Sequence, residues 1–252
     1  MVRTFLPHTS VATIGFASRT SVLLSVLSVL RYIGKQTFHK VCFLFFLTEY
    51  RRGCPRREGD KPMKLMEQKI RKEGVVLPGG VLKVGSFLNQ QLDIPFLHEA
   101  GREIARLFRD AGVTKVITIE ASGIPLATLT ALELGVPAVI VKKHASANQS
   151  PDVYSAEIAS FTHKNTYTAV VAKEYIKPTD SILIVDDFLA VGNAIRGLRQ
   201  ILADAGVTLA GCAIAVEKAF QHGGDDLRAE GIRVESLAIV EDMKDGTVTF
   251  RP

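Results

Sequence analysis

One stretch limits the possible folds more than any other, SILIVDDFLAVGNAIRG (181–197). It opens on an apolar run, meets two adjacent aspartates, crosses a short loop, FLAVGNA, and enters a helix-forming segment that stops at Gly206. An apolar run without polar alternation is a strand buried on both faces, as in a parallel sheet covered by helices. KVITIE (115–120), AVIVK (138–142), LAGCAIAVE (209–217) and VESLAIVE (234–241) are expected as further strands. PFLHEAGREIARLFRDAG (95–112) sets Phe96, Ala100, Ile104, Leu107, Phe108 and Ala111 on one helical stripe, and residues 124–134 read as a helix stopped by Gly135. Strands alternating with helices imply an α/β fold whose mainly parallel central sheet is flanked by helices. AVVAK (169–173) and VYSAEIAS (153–160) are expected to pair as an exposed hairpin beside a polar stretch, 143–166, that has no period.

The first 62 residues do not share this order. Their apolar runs, VLLSVLSVL (22–30) and VCFLFFL (41–47), fall short of the roughly 18–20 residues of a spanning helix, and RRGCPRREGDKP (51–62) reads as a linker. This segment holds 10 of the 31 lysines and arginines and 3 of the 26 acidic residues, so it carries +7 of a chain whose net charge is +5. The remainder, at −2, is a poor candidate for non-specific duplex binding, which needs many phosphate contacts. Three readings of 1–62 compete: an organelle-targeting peptide, a membrane-associating segment, and a start assigned too far upstream, with Met63 the true first residue. The last is preferred, because MKLMEQKIRKEG, an amphipathic helix closed by Gly74, begins there at once. The expected organisation is an atypical extension over 1–62 and one domain over 63–252. Cys42, Cys54 and Cys212 are scattered with no CxxC pair, which argues against a disulfide framework or zinc site and fits a reducing, cytoplasmic compartment.

Ligands of open α/β sheets bind at the carboxyl ends of the strands. The aspartates and the loop after them are placed there. Backbone N–H groups of Ala190, Val191, Gly192, Asn193 and Ala194 can face a phosphate, aided by the helix dipole, and Gly192 permits a close approach. Two carboxylates before such a loop suit ribose hydroxyls and the surroundings of a magnesium ion. An aspartate near a helix start is equally an ordinary cap.

At these residues the sequence resembles the type I phosphoribosyltransferases: VDDFLAVGNA is similar to their phosphoribosyl-pyrophosphate motif. The likeness runs from Met63 to about Phe250 and is nearest to the bacterial members that use xanthine, through GVVLPGGVLKVGSFLNQQLD (74–93), VITIEASGI (116–124), GVPAVIVKKHAS (135–146) and VEKAF (216–220). Val191 departs from the pattern, which has a polar residue there, often asparagine. The resemblance implies transfer of a phosphoribosyl group to a purine nitrogen, Mg2+ bound with the phosphoribosyl pyrophosphate and not by a direct protein ligand, a homodimer, and a small base-binding hood. No membrane or nucleic-acid partner is expected, given the short apolar runs and the near-neutral charge of residues 63–252.

The resemblance further makes Asp186 and Asp187 the catalytic acid pair and residues 190–194 the 5′-phosphate loop. Ser122 and Gly123 become the pyrophosphate loop, with Lys143 nearby, and Leu82, Asn89 and Lys218 the xanthine contacts. Read without it, ASG is an ordinary turn, Lys142 and Lys143 are a surface pair, and Lys218 is a surface lysine pairing with Glu217. Likewise Leu82 is core and Asn89 a loop residue. A lysine only donates, which suits the oxo groups of xanthine or guanine and not adenine's amino group. Phe220 either stacks on a purine or belongs to the core. His144, Tyr154 and His163 in 143–166, which the resemblance makes a mobile cover, are assigned no acid–base role. His98 and His222 lack partners at metal-ligand spacing. The competing function is a purine-responsive transcription regulator on the same fold, its DNA-binding head in 1–62; those residues show no helix–turn–helix period.

Overall fold

The computed structural model describes residues 63–144, 151–159, 166–244 and 246–252. All the described residues belong to one compact unit. The expected 1–62 extension lies outside them, as do His163 and parts of the expected cover over 143–166.

A six-stranded sheet forms the centre. Its strands are β3 (Lys115–Ile119), β4 (Ala138–Val141), β7 (Ser181–Leu189), β8 (Thr208–Lys218), β9 (Val234–Lys244) and β10 (Thr247–Phe250), in the order β10-β9-β8-β7-β3-β4. All neighbours run parallel except β10, which closes one edge antiparallel to β9. The helices are α1 (Met63–Glu73), α2 (Ile94–Leu107), α3 (Ile124–Leu134), α4 (Asn193–Asp204) and α5 (Gly223–Ala229). A short antiparallel ribbon, β1 (Val75–Leu77) and β2 (Val81–Lys83), forms a separate sheet, as does the β5 (Val153–Ala159) and β6 (Thr166–Ala172) hairpin.

Alternation along the strands feeds two cores. Val116, Leu183, Val185, Ala213 and Ala215 join Ile70, Phe96, Ile104 and Leu126 in one cluster. Ile117, Ile182, Ile184, Cys212 and Ile214 join Ile195, Leu198, Ile201 and the hairpin's Ile158 in the other. Both faces of the sheet are therefore covered, which is why its strands read as unbroken apolar runs.

Several boundaries differ from expectation. α2 ends at Leu107, not Gly112: Phe108 caps it, its N–H on Ile104 O, and Gly112 turns left-handed at φ +63°. α4 ends at Asp204. β7 runs three residues past Asp186, to Leu189, because its ladder with β8 continues to Leu189↔Glu217. Phe188 and Leu189, expected in the loop, are thus in the strand. The hairpin's second strand begins at Thr166, so strand occupies part of the stretch that reads as periodless. β10, the β1–β2 ribbon and α5 had no expected counterpart.

Candidate active site

Strand order sets the location. β4 lies on one side of β3 and β7 on the other, so the chain reverses its direction of travel across the sheet between β3 and β7. The crevice beyond such a switch point is where ligands of open α/β sheets bind. A cavity of about 440 Å³ opens there. Ser122 lines it from beyond β3 and Lys143 from beyond β4; Asp187, Phe188 and Leu189 line it from β7, residues 190–195 from the loop and α4, and Lys218 from the end of β8. Leu82 of the ribbon and Ile158, Ala159 and Tyr167 of the hairpin complete it.

Of the residues singled out in the sequence, the cavity lining gathers Leu82, Ser122, Lys143, Asp187, Lys218 and all of 190–194. Asn89, Gly123 and Asp186 stand just behind. Asn89 donates to Asp187 Oδ2 at 3.1 Å, and Ser122 Oγ donates to Asp187 Oδ1 at 2.9 Å. Asp186 Oδ1 accepts from the Asp187 N–H at 2.9 Å. Burial, and then the Asp187 charge beside it, push the Asp186 carboxyl well above the usual carboxylate range. Gly123 is pressed so closely that a Cβ there would lie 2.8 Å from Asp186 Oδ1.

The loop after β7 presents amides. Gly192, at φ +87°, is the N-cap of α4 and has no side chain to bond the first-turn N–H groups. Those groups have no partner within a helix, so they are free to meet an anion. The polar side chain absent at Val191 leaves this backbone feature intact.

Lys142 and Lys143 separate. Lys142 turns to Glu120 at 3.0 Å, whereas Lys143 lines the cavity with its ammonium 5.4 Å from the centre of the Tyr167 ring. The Lys143 N–H bonds Glu120 Oε1 at 2.8 Å and, with Lys142, holds that carboxylate below its ordinary range. Burial, with the Asp186 charge second, raises the Tyr167 phenol.

Lys218 does not pair with Glu217. Fully buried Glu217 is taken by Arg228, at 2.8 and 2.7 Å, and by the Ser236 hydroxyl at 2.5 Å. Lys218 instead donates to Gly80 O at 3.1 Å over the Phe188 ring, and burial lowers its pKa. Phe220 packs against the core beside Gly80 and is not in the lining.

Sequence reading missed Ile158, Ala159 and Tyr167. The hairpin was expected, but its position over α4 depends on Ile158 filling the space beside Gly197, where a Cβ would lie within 2.4 Å of two Ile158 atoms. No local pattern encodes that contact.

Among the described residues no group of three or more His, Cys, Asp or Glu is arranged to hold a metal ion. Asp187, the member of the acid pair that lines the cavity, suits the surroundings of a magnesium ion that keeps a shell of water and substrate phosphate. Among the described residues no helix is long and apolar enough to cross a membrane.

The family model for the phosphoribosyl transferase domain matches residues 89–245. A xanthine phosphoribosyltransferase of Lachnoclostridium phytofermentans is 49% identical over 191 residues, 75% of this chain and 98% of that protein. One from Limosilactobacillus fermentum is 47% identical over 189 residues, 75% of this chain and 97% of that protein. One from Pseudomonas savastanoi pv. phaseolicola is 47% identical over 189 residues, 75% of this chain and all of that protein. In fold, the chain is similar to an adenine phosphoribosyltransferase of Giardia lamblia complexed with 9-deazaadenine. The TM-score is 0.60 at 23% identity, covering 71% of this chain and 98% of that one. An adenine phosphoribosyltransferase of Rhodothermus marinus gives a TM-score of 0.57 at 22% identity, covering 70% of this chain and 99% of that one.

Proposed function

For a chain that belongs to the phosphoribosyltransferase family, we propose that the reaction is transfer of the phosphoribosyl group of 5-phosphoribosyl 1-pyrophosphate to xanthine, giving xanthosine monophosphate and pyrophosphate in purine salvage. One observation carries this reading: a single cavity is lined by a donor-only lysine, by an amide-rich loop and by Asp187 of the acid pair. The relatives named above support the choice of base.

In this reading Lys218 and Leu82 receive the base, the ammonium donating to an oxo group, with Asn89 at the base edge. Asp186 and Asp187 hold the ribose hydroxyls, the amides of residues 190–194 the 5′-phosphate, and Ser122, Gly123 and Lys143 the pyrophosphate. A bond forms between the purine nitrogen and the anomeric carbon. The carbon–oxygen bond to pyrophosphate breaks, the leaving group keeps the electron pair, and the nitrogen's proton is lost. No protein nucleophile is needed. The chain's residues orient the two substrates and exclude water, a contribution that can reach about 7–11 kcal/mol for well-aligned reactants. Magnesium, bound with the substrate's phosphates beside the acid pair, would supply charge neutralisation of the pyrophosphate.

The regulator reading requires a DNA-binding head within 1–62, outside the described residues, and the relatives named above are transferases. A homodimer, a cytoplasmic location and the dispensability of 1–62 belong to the same proposal. They are supported by the family resemblance, the anionic substrate and the ordered pattern that starts at Met63. The test is pyrophosphate release from phosphoribosyl pyrophosphate by the full chain. Release that requires xanthine and stops when magnesium is chelated is expected; release without base, or none from folded protein, would overturn the proposal.

A further inference from the structure

The loop that faces the cavity with its amides has its carbonyls tied off behind it. Ala190 O accepts from the Gly223 N–H at 3.1 Å, and Val191 O accepts from Arg196 Nη1 at 2.6 Å. The guanidinium is itself held from the far side. Its Nη2 lies 3.2 Å from Glu230 and 3.9 Å from Asp226, and Glu230 also pairs with Arg199. α5 is pressed onto the same loop: a Cβ at Gly223 would lie 2.2 Å from Ala190 O and 2.8 Å from Gly192 N.

These ties decide which way the peptides face. In a planar trans peptide the C=O and the next residue's N–H point in opposite directions. Holding Ala190 O outward turns the Val191 N–H toward the cavity, and holding Val191 O outward does the same for the Gly192 N–H. The second peptide is the vulnerable one. Gly192 sits at φ +87°, and glycine adopts positive and negative φ with similar ease. The Val191–Gly192 peptide can therefore turn over cheaply unless something holds it. Turned over, it would present a carbonyl where a phosphate needs a donor. Arg196 is not in the lining of the cavity. It acts from behind, through the peptide it holds.

We infer that Arg196 is a positioning residue for the proposed 5′-phosphate loop, locking the Val191–Gly192 peptide with its N–H toward the substrate. The inference rests on reading residues 190–194 as the seat of that phosphate. The lysine alternative at position 196 cannot reproduce the arrangement fully, because one ammonium lacks the rigid fork that spans Val191 O and Glu230 together.

The test uses the full chain and three probes: ribose 5-phosphate, inorganic pyrophosphate and xanthine, each titrated calorimetrically against wild type, Arg196→Met and Arg196→Lys. Loss of a charge-assisted hydrogen bond predicts that Arg196→Met binds ribose 5-phosphate about ten- to a hundredfold more weakly. The Michaelis constant for phosphoribosyl pyrophosphate should rise with it, while pyrophosphate and xanthine change less than about twofold. Arg196→Lys should recover part of the loss. Should Arg196→Met fail to fold, Glu230→Gln, which frees the far side of the guanidinium, should give a two- to fivefold loss in the same direction, about what an exposed ion pair contributes. Unchanged ribose 5-phosphate binding, or equal weakening of all three probes with a fall in Tm, would overturn the inference. A wild type that makes xanthosine monophosphate yet shows no ribose 5-phosphate binding would overturn it too. A wild type with neither property would remove the functional reading beneath it, a result distinguishable from failure of the clamp alone.

Discussion

Replacing Lys218 by methionine separates base recognition from everything else the cavity does. Methionine keeps the length and packing of the aliphatic stem and removes only the ammonium. The hydrogen bond lost in the free enzyme is one, 3.1 Å to Gly80 O, made by a half-buried lysine over the Phe188 ring. Burial already lowers the pKa of Lys218, so part of that bond is offset by the desolvation it requires. The folded state releases this proton more readily than the unfolded chain. Its destabilising effect is therefore present at neutral pH and relieved as pH rises from the lowered pKa toward the ordinary lysine value. Little change in Tm is expected at neutral pH. Toward the base the loss is larger: a charged donor to a buried oxo group contributes about 1.5–3 kcal/mol, or roughly a 10- to 150-fold fall in kcat/KM for xanthine. Initial rates at saturating phosphoribosyl pyrophosphate measure it. The Michaelis constant for phosphoribosyl pyrophosphate should stay within about twofold. The alkaline fall in wild-type kcat/KM, where the ammonium is lost, should vanish in the variant. An equal loss toward both substrates, or none toward xanthine, would refute the reasoning.

Other substitutions probe the remaining parts. Asp187→Asn, which removes the charge that Ser122 and Asn89 both donate to, should lower kcat by about a hundredfold or more with only a small change in Tm; unchanged kinetics would remove it from the site. Asp186→Asn should lower activity yet raise Tm at pH 8 and not at pH 4. The Asp186 carboxyl, its pKa raised in the fold, holds its proton more tightly than in the unfolded chain, so its destabilising effect is absent below the ordinary carboxylate pKa, grows as pH rises from that value to the raised one, and is full above it; a Tm gain independent of pH would contradict this. Glu217→Ala removes the buried acceptor shared by Arg228 and Ser236 and should cost about 1–3 kcal/mol in urea unfolding; an unshifted midpoint would show that the pair is not structural.

The strands at the centre of the sheet were legible because each is buried on both faces and so has an unbroken apolar run. The acid pair was legible because charge at the end of such a run is expensive without a use. Where β7 ended was not legible. Phe188 and Leu189 read as loop, yet pairing with β8 extends the strand through them, and that pairing is a long-range fact. The ribbon bearing Leu82 is only three residues per strand, too short for a period to show. Lys218 needed the structure for a different reason. Sequence puts it beside Glu217, but strand alternation sends neighbouring side chains to opposite faces, and Glu217 finds Arg228 eleven residues on. Tyr167 and Arg196 belong to the same class: each matters through a contact that spacing along the chain does not encode.

The most direct measurement is the initial rate of nucleotide formation by the full chain with magnesium, phosphoribosyl pyrophosphate and, in turn, xanthine, guanine, hypoxanthine and adenine. Xanthosine monophosphate formed fastest, and adenine used least, is the expected result. Preference for adenine, or no nucleotide from folded protein with any of the four bases, would contradict the assignment of Lys218 and of the cavity it closes.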